Sequence, residues 1–176
     1  MNYQLKYWRH YLVSHSRHGT HSPFVYKLVD EVIYQKEESA KDVLILPVAI
    51  QNAQRVEQKK YALVNRLLRT FVYDQFTYWT DHSEQVYSNL LQYHCGRYAY
   101  RHLYYIDRDE LDLDFLGTVQ DRDVLIINEP HQSEKREQYW NQLKQDSRVV
   151  VTIDLFRIGL VYFRQGQRKE NFLIRF

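Results

Sequence analysis

The run DVLIIN, residues 123–128, constrains this chain more than any other stretch. It reads as a strongly buried strand, set among segments that alternate between strand and helix patterns. Before it, FTYWT (76–80) reads as a strand, SEQVYSNLLQYH (83–94) as a helix and HLYYID (102–107) as a strand. DELDLDFLGTVQ (109–120) then reads as a short helix or turn. After it, SEKREQYWNQLKQD (133–146) reads as an amphipathic helix with Ser133 as its cap and Glu134 in its first turn. Three closely spaced strand patterns follow: VVVTIDL, GLVYFR and NFLIRF. Strands alternating with helices imply a parallel sheet, and closely spaced terminal strands imply an antiparallel edge.

The first part of the chain is helical in pattern. In residues 1–17, Tyr7, Trp8, Tyr11 and Leu12 are spaced to share a helical face. Ser22 followed by Pro23 opens a further helix, whose apolar stripe is Val25, Leu28, Val29, Val32 and Ile33, and Lys36–Ser39 ends it in polar chain. DVLILPVA (42–49) is strand-like until Pro47 interrupts it. From Asn52 to about Tyr73 the residues Val56, Leu63, Leu67, Leu68 and Phe71 recur at helical spacing. The expected organisation is a helical extension over residues 1–58 and an α/β core over 59–176.

Composition excludes several classes. A length of 176 residues suits one domain with a real core, and 44% hydrophobic with 26% charged residues argues against a disordered chain. A single cysteine, Cys95, excludes an internal disulfide and is compatible with a reducing compartment. No stretch approaches the ~18 apolar residues needed to cross a bilayer, and the N-terminus is too polar for a secretory signal. A cytoplasmic location is the expectation. A net charge of +2 is too small to imply nucleic-acid binding by itself. The 16 tyrosines suggest amphipathic surfaces at core margins or interfaces.

Several candidate sites carry less than their residue types suggest. His10, His15, His18 and His21 crowd the N-terminus, but their spacings match no recognised zinc site, and a turn held by His18 and His21 explains them better. No metal is expected. Asp81, His82 and Ser83 name the residues of a catalytic triad, yet adjacent positions cannot take its geometry, so they read as a turn and cap. Cys95, beside His94 at a helix end, reads as a packed or exposed thiol. RYAYRHLYY (97–105) interleaves arginine with aromatics, as single-strand nucleic-acid platforms do. Alternation puts Tyr98, Tyr100 and His102 on one face and Arg97, Ala99 and Arg101 on the other, which also describes a sheet margin.

Two stretches taken together resemble a known group. RHGTHSPFVYKLVDEVIY (17–34) and VVVTIDLFRIGLVYFRQGQRKENFLIRF (149–176) are similar to the N-terminal signature and C-terminal hairpin and tail of a family of class I S-adenosylmethionine-dependent methyltransferase-like proteins found in Bacteroidetes. DVLIINEPHQSEKREQYW (123–140) resembles that family's penultimate strand and following helix. The resemblance implies a Rossmann-like sheet whose first strand ends in an acidic residue before a glycine loop that lies against the cofactor. Matched by register, Tyr78 stands in the acidic position and Thr80 and Glu84 stand in the glycine positions. Either side chain would occupy cofactor space, and Glu84 would set a negative charge beside a carboxylate-bearing ligand. The chain is also shorter than the family pattern between its first helix and DVLIIN. Asp107 could mimic the acid that contacts the cofactor ribose. Asn128 and Glu129 replace paired acids, while His131 and Ser133 remain.

The expected fold is therefore a shortened α/β, Rossmann-like methyltransferase sheet with antiparallel C-terminal strands and an N-terminal helical extension. The expected function is that of a non-catalytic binding or assembly module with no cofactor. The alternatives are an active methyltransferase with a remodelled cofactor loop, or a nucleic-acid-binding module using Lys6, Arg9, Arg17 and Lys27. The arm before HGTHSPF lacks an evident lock on its own domain. Tyr7, Trp8 and Tyr11 are the residues expected to meet a partner or a second copy, most simply in a homodimer.

Overall fold

The run DVLIIN enters the structure as a central strand with both faces covered. The computed structural model describes residues 2–16, 21–35, 48–80, 98–110 and 112–176, and these form a mixed α/β protein with one six-stranded sheet. The helix expected over 83–94, Glu84, the Asp81–Ser83 trio, Cys95, His18, the polar run 36–39 and the strand-like run 42–47 lie outside the described residues.

In chain order the elements are α1 (Tyr3–Val13), α2 (Pro23–Leu28) running into a π-helical turn (Val29–Ile33), α3 (Val48–Gln51), α4 (Arg55–Thr70), β1 (Phe71–Thr80) and β2 (Tyr98–Asp107). A 3₁₀ turn (Leu113–Gly117) precedes β3 (Val124–Asn128), α5 (Glu134–Gln145), β4 (Val151–Asp154), β5 (Ile158–Tyr162) and β6 (Glu170–Leu173). Two compact units result. One holds residues 2–16, 73–80, 100–110 and 112–175, and the other holds residues 21–35, 48–72, 98–99 and 176. Helix α1 clusters with the sheet, while α2 and α4 cluster together.

In the first unit the sheet order is β1-β2-β3-β5-β4-β6. β2 and β3 run parallel, and β5 runs antiparallel to both β3 and β4. The three-residue connection Leu155–Arg157 folds β4 back into β5, with Phe156 in the left-handed region at φ 69°. β6 pairs with β4 in parallel, so the tail NFLIRF joins the sheet but does not extend the antiparallel hairpin. Its Ile174 is buried and donates its backbone N–H to the Asp154 carbonyl at 2.9 Å.

Every residue of β3, β4 and β5 is buried, as expected of strands covered on both faces. On one face Leu125, Ile127 and Val161 pack with Trp140 and Leu143 of α5. Ser133 caps α5 through its side chain, which accepts from the Arg136 N–H. Gly159 permits the closest approach: a Cβ there would sit 2.8 Å from the Trp140 ring. His102 stacks on Tyr104 at 3.9 Å, on the face opposite exposed Arg101, which is the alternation expected for this strand.

In the second unit the Ser22 hydroxyl accepts from the Val25 N–H and Pro23 opens α2, as the sequence implies. Buried Arg66 of α4 donates to the Val32 and Ile33 carbonyls and so closes the π-helical turn. The helix expected to reach Tyr73 stops at Thr70. Phe71, Val72 and Tyr73 are aromatic or β-branched, and they continue as strand without a turn between. After Pro47 the chain takes one helical turn, α3. Among the described residues no helix is long and apolar enough to cross a membrane.

Replacing Gly159 by Ala should destabilise the protein by about 1–3 kcal/mol, because the rigid indole of Trp140 cannot yield without disturbing the core. Thermal unfolding of the variant checks this; a melting temperature within a degree of the parent would contradict the packing described.

Candidate functional site at the strand ends

The carboxyl ends of β2, β3 and β4 bring Asp107, Asn128 and Asp154 to one side of the sheet. In open α/β sheets ligands bind beyond these ends, so the groups gathered there define the candidate site.

Asp107, the expected ribose-binding acid, is buried and receives Arg136 Nη1 of α5 at 3.0 Å. The same guanidinium donates through Nε to Asp109 at 2.7 Å and through Nη1 to the Asn128 carbonyl at 3.1 Å. Arg136 thus ties the ends of β2 and β3 together. Its position in the first turn of α5 sets a cation near the positive end of the helix dipole, an unfavourable placement that three acceptors offset. Tyr78 stacks on Tyr105 with ring centroids 5.3 Å apart. Burial raises its hydroxyl pKa, and the nearby Asp107 carboxylate raises it further. Thr80, half-buried, ends β1 beside it and hydrogen-bonds the Tyr78 hydroxyl.

Glu129 follows β3 in the left-handed region at φ 46°, a conformation uncommon outside glycine. Its carboxylate accepts from the Tyr3 hydroxyl at 2.7 Å and from Arg157 Nη1 at 3.2 Å. Asn128 is also buried, and its Oδ1 has no hydrogen-bond partner among the described residues.

Asp154 is the centre of the arrangement. Its carboxylate accepts from Trp140 Nε1 at 2.8 Å, from the Phe156 N–H at 2.9 Å and from His131 Nε2 at 2.9 Å. His10 of α1 reaches it from the other side, with Nε2 3.2 Å from the carbonyl and 3.4 Å from Oδ1. Burial alone would raise its pKa, but the hydrogen bonds from His10 and His131 overcome that and hold it well below the usual carboxylate range. His131 lies flat on Phe156, 5.0 Å between centroids, and its Nδ1 is 3.5 Å from Glu137. Glu137 also takes the ammonium of Lys6. Its pKa is lowered: burial pushes it up, and Lys6 and His131 pull it down further than that.

Helix α1 therefore docks on its own unit through Lys6 and His10, both buried, with Tyr3 and Tyr7 against Phe156. This corrects the expectation that the arm lacks a lock on its own domain. The apolar stripe in the sequence does not mark the inward face, because the residues that lock it, Lys6 and His10, are polar. Of the expected contact residues, Tyr7 turns inward, while Trp8 is exposed and Tyr11 lies beneath the Arg175 guanidinium at 4.3 Å. Arg136, Trp140 and Asp154 were not anticipated; the cation in the first turn of α5 was the available signal for the first of them. His15 enters through its backbone, which pairs with Leu173 and Arg175, and His21 is exposed. Among the described residues no three His, Cys, Asp or Glu side chains group as metal ligands would.

No family model matches this chain, and neither a curated protein nor a solved structure is similar to it.

Two outcomes are expected. Arg136→Ala should destabilise the protein by roughly 3–5 kcal/mol, because Asp107 is left buried without its cation; an unchanged urea midpoint would contradict this. Asp154 and Glu137 both have depressed folded-state pKa values. Their contribution is therefore fully present above the unfolded values near ~4 and is lost as pH falls through the folded ones. The wild type should lose thermal stability below about pH 4, and Glu137→Gln should show a shallower acid slope. Identical slopes would show that Glu137 takes no part.

Proposed function

We propose that this chain is a shortened, non-catalytic relative of class I methyltransferases that serves as a binding or assembly module. One observation carries the reading: the polar groups at the strand ends are engaged by the chain's own side chains. Arg136 occupies the hydrogen-bonding edge of Asp107, where the resemblance implies a cofactor ribose. Tyr3, Lys6 and His10 occupy Glu129, Glu137 and Asp154. A ligand entering here would have to displace a buried ion pair and a docked helix, each costly to break. The Rossmann-like assignment is supported by the parallel β2–β3 pair and by the reversed strand β5 beside it, the antiparallel C-terminal feature that the resemblance implies.

One observation favours a second reading, an active methyltransferase with a remodelled cofactor loop. The Asn128 Oδ1 acceptor is buried at the end of β3 without a partner among the described residues, and a ligand donor could satisfy it. Of the four cations on which the nucleic-acid alternative rests, Lys6 is committed to Glu137 of the same unit.

Neither S-adenosylmethionine nor its demethylated product should stabilise the protein in thermal unfolding. Ligand at ~100 times its dissociation constant adds ~2.7 kcal/mol, so binding would register as several degrees. A saturable rise that Asn128→Ala abolishes would overturn the non-catalytic reading in favour of the second.

A further inference from the structure

Helix α1 is amphipathic in the reverse of the usual sense. Its polar residues Lys6 and His10 are turned inward to carboxylates, and its large apolar residues are turned out. Leu5 is 60% exposed, Trp8 58% and Leu12 76%. Spacings of three and four place these residues in one line along the helix, the geometry of a coiled-coil seam. An apolar stripe of this size is often a binding surface.

The charges on this face decide what covers it. No acidic residue precedes Asp30 in the sequence, so α1 carries none. With Lys6 and His10 inward, Arg9 is left outward and pairs with no acid among the described residues, and the Arg175 guanidinium lies over Tyr11 at the edge of the face. Two cations fall short of the clusters of about four to eight that recruit an anionic lipid surface. The spacing, by contrast, complements itself. When two copies of α1 are laid antiparallel about a two-fold axis between positions 8 and 9, Leu5 of each faces Leu12 of the other. Each Arg9 then lies over the other copy's Trp8, a favourable cation–π arrangement. The interface is isologous, so it closes at two copies.

We propose that the outer face of α1 pairs antiparallel with the same face of a second copy, making the protein a homodimer. The inference rests on the assembly reading above and names its partner. The outward parts of Leu5, Trp8 and Leu12, the three on one line, amount to on the order of 400 Å² per copy, or ~800 Å² for the pair, the size of a weak, transient pairing.

Sedimentation equilibrium of the full chain from ~1 to ~200 µM tests this, with thermal unfolding as the folding control. The wild type should be dimeric at the upper end. Leu5→Glu and Leu12→Lys should each raise the dissociation constant at least ~10-fold without changing the melting temperature, since both positions are exposed. Leu12→Ser replaces either variant that fails to fold. The two changes together should recover at least ~10-fold over either alone, because the antiparallel register sets each introduced carboxylate opposite an introduced ammonium. A wild type that stays monomeric throughout overturns the proposal, as do single variants that dimerise normally or a double variant that shows no recovery. A monomer that co-sediments with vesicles of anionic phospholipid overturns it too, in favour of a lipid surface. Cofactor binding by an intact dimer would overturn the non-catalytic reading and leave the pairing standing.

Discussion

The first unit is organised around one buried carboxylate. Asp154 closes the β4–β5 hairpin through the Phe156 N–H, anchors α5 through Trp140, orients His131 and receives His10 of α1. Its backbone carbonyl also accepts from the N–H of Ile174, which holds the tail against β4. A charge this deeply buried is tolerable because its oxygens are met by donors from several elements. Removing the carboxylate therefore weakens the attachment of several segments at once. The left-handed backbone at Phe156, within the hairpin that Asp154 closes, fits the same constraint.

That constraint explains why α1 faces the way it does. The ends of β3 and β4 and the start of α5 present Glu129, Asp154 and Glu137, so the covering helix must bring donors rather than hydrocarbon. Tyr3, Lys6 and His10, three and four residues apart, supply them along one face. The apolar residues of the same short helix are then forced outward. Closure of the strand ends and exposure of an apolar stripe are two consequences of one placement, and they link the proposed loss of a cofactor site to the proposed gain of an interface.

How much of this could be read from the sequence depended on the range of the interaction. DVLIIN, the Ser133-capped helix, the Ser22–Pro23 helix start and the terminal strands were legible, because periodicity and capping are local. The insertion of β5 between β3 and β4, and the parallel docking of β6, depend on pairings between distant segments and leave no local signature. The sequence showed that α4 runs towards β1, but where it ends was set by the extended preference of Phe71, Val72 and Tyr73. At the site, Asp107, Glu129 and His131 were identified through a resemblance, while Arg136 and Asp154 were passed over. Lys6 reads only as one of the N-terminal cations and His10 only as one of the crowded histidines, because their partners lie more than 130 residues away.

The account depends most on α1 being an integral cover of the strand ends. Amide hydrogen exchange of the full chain, resolved to α1 and β3 peptides, measures this directly. The account predicts that α1 amides in the wild type exchange orders of magnitude more slowly than unfolded chain, and that Asp154→Asn accelerates α1 well beyond any change in β3. Exchange of α1 at the unfolded rate in the wild type, with β3 protected, would contradict it.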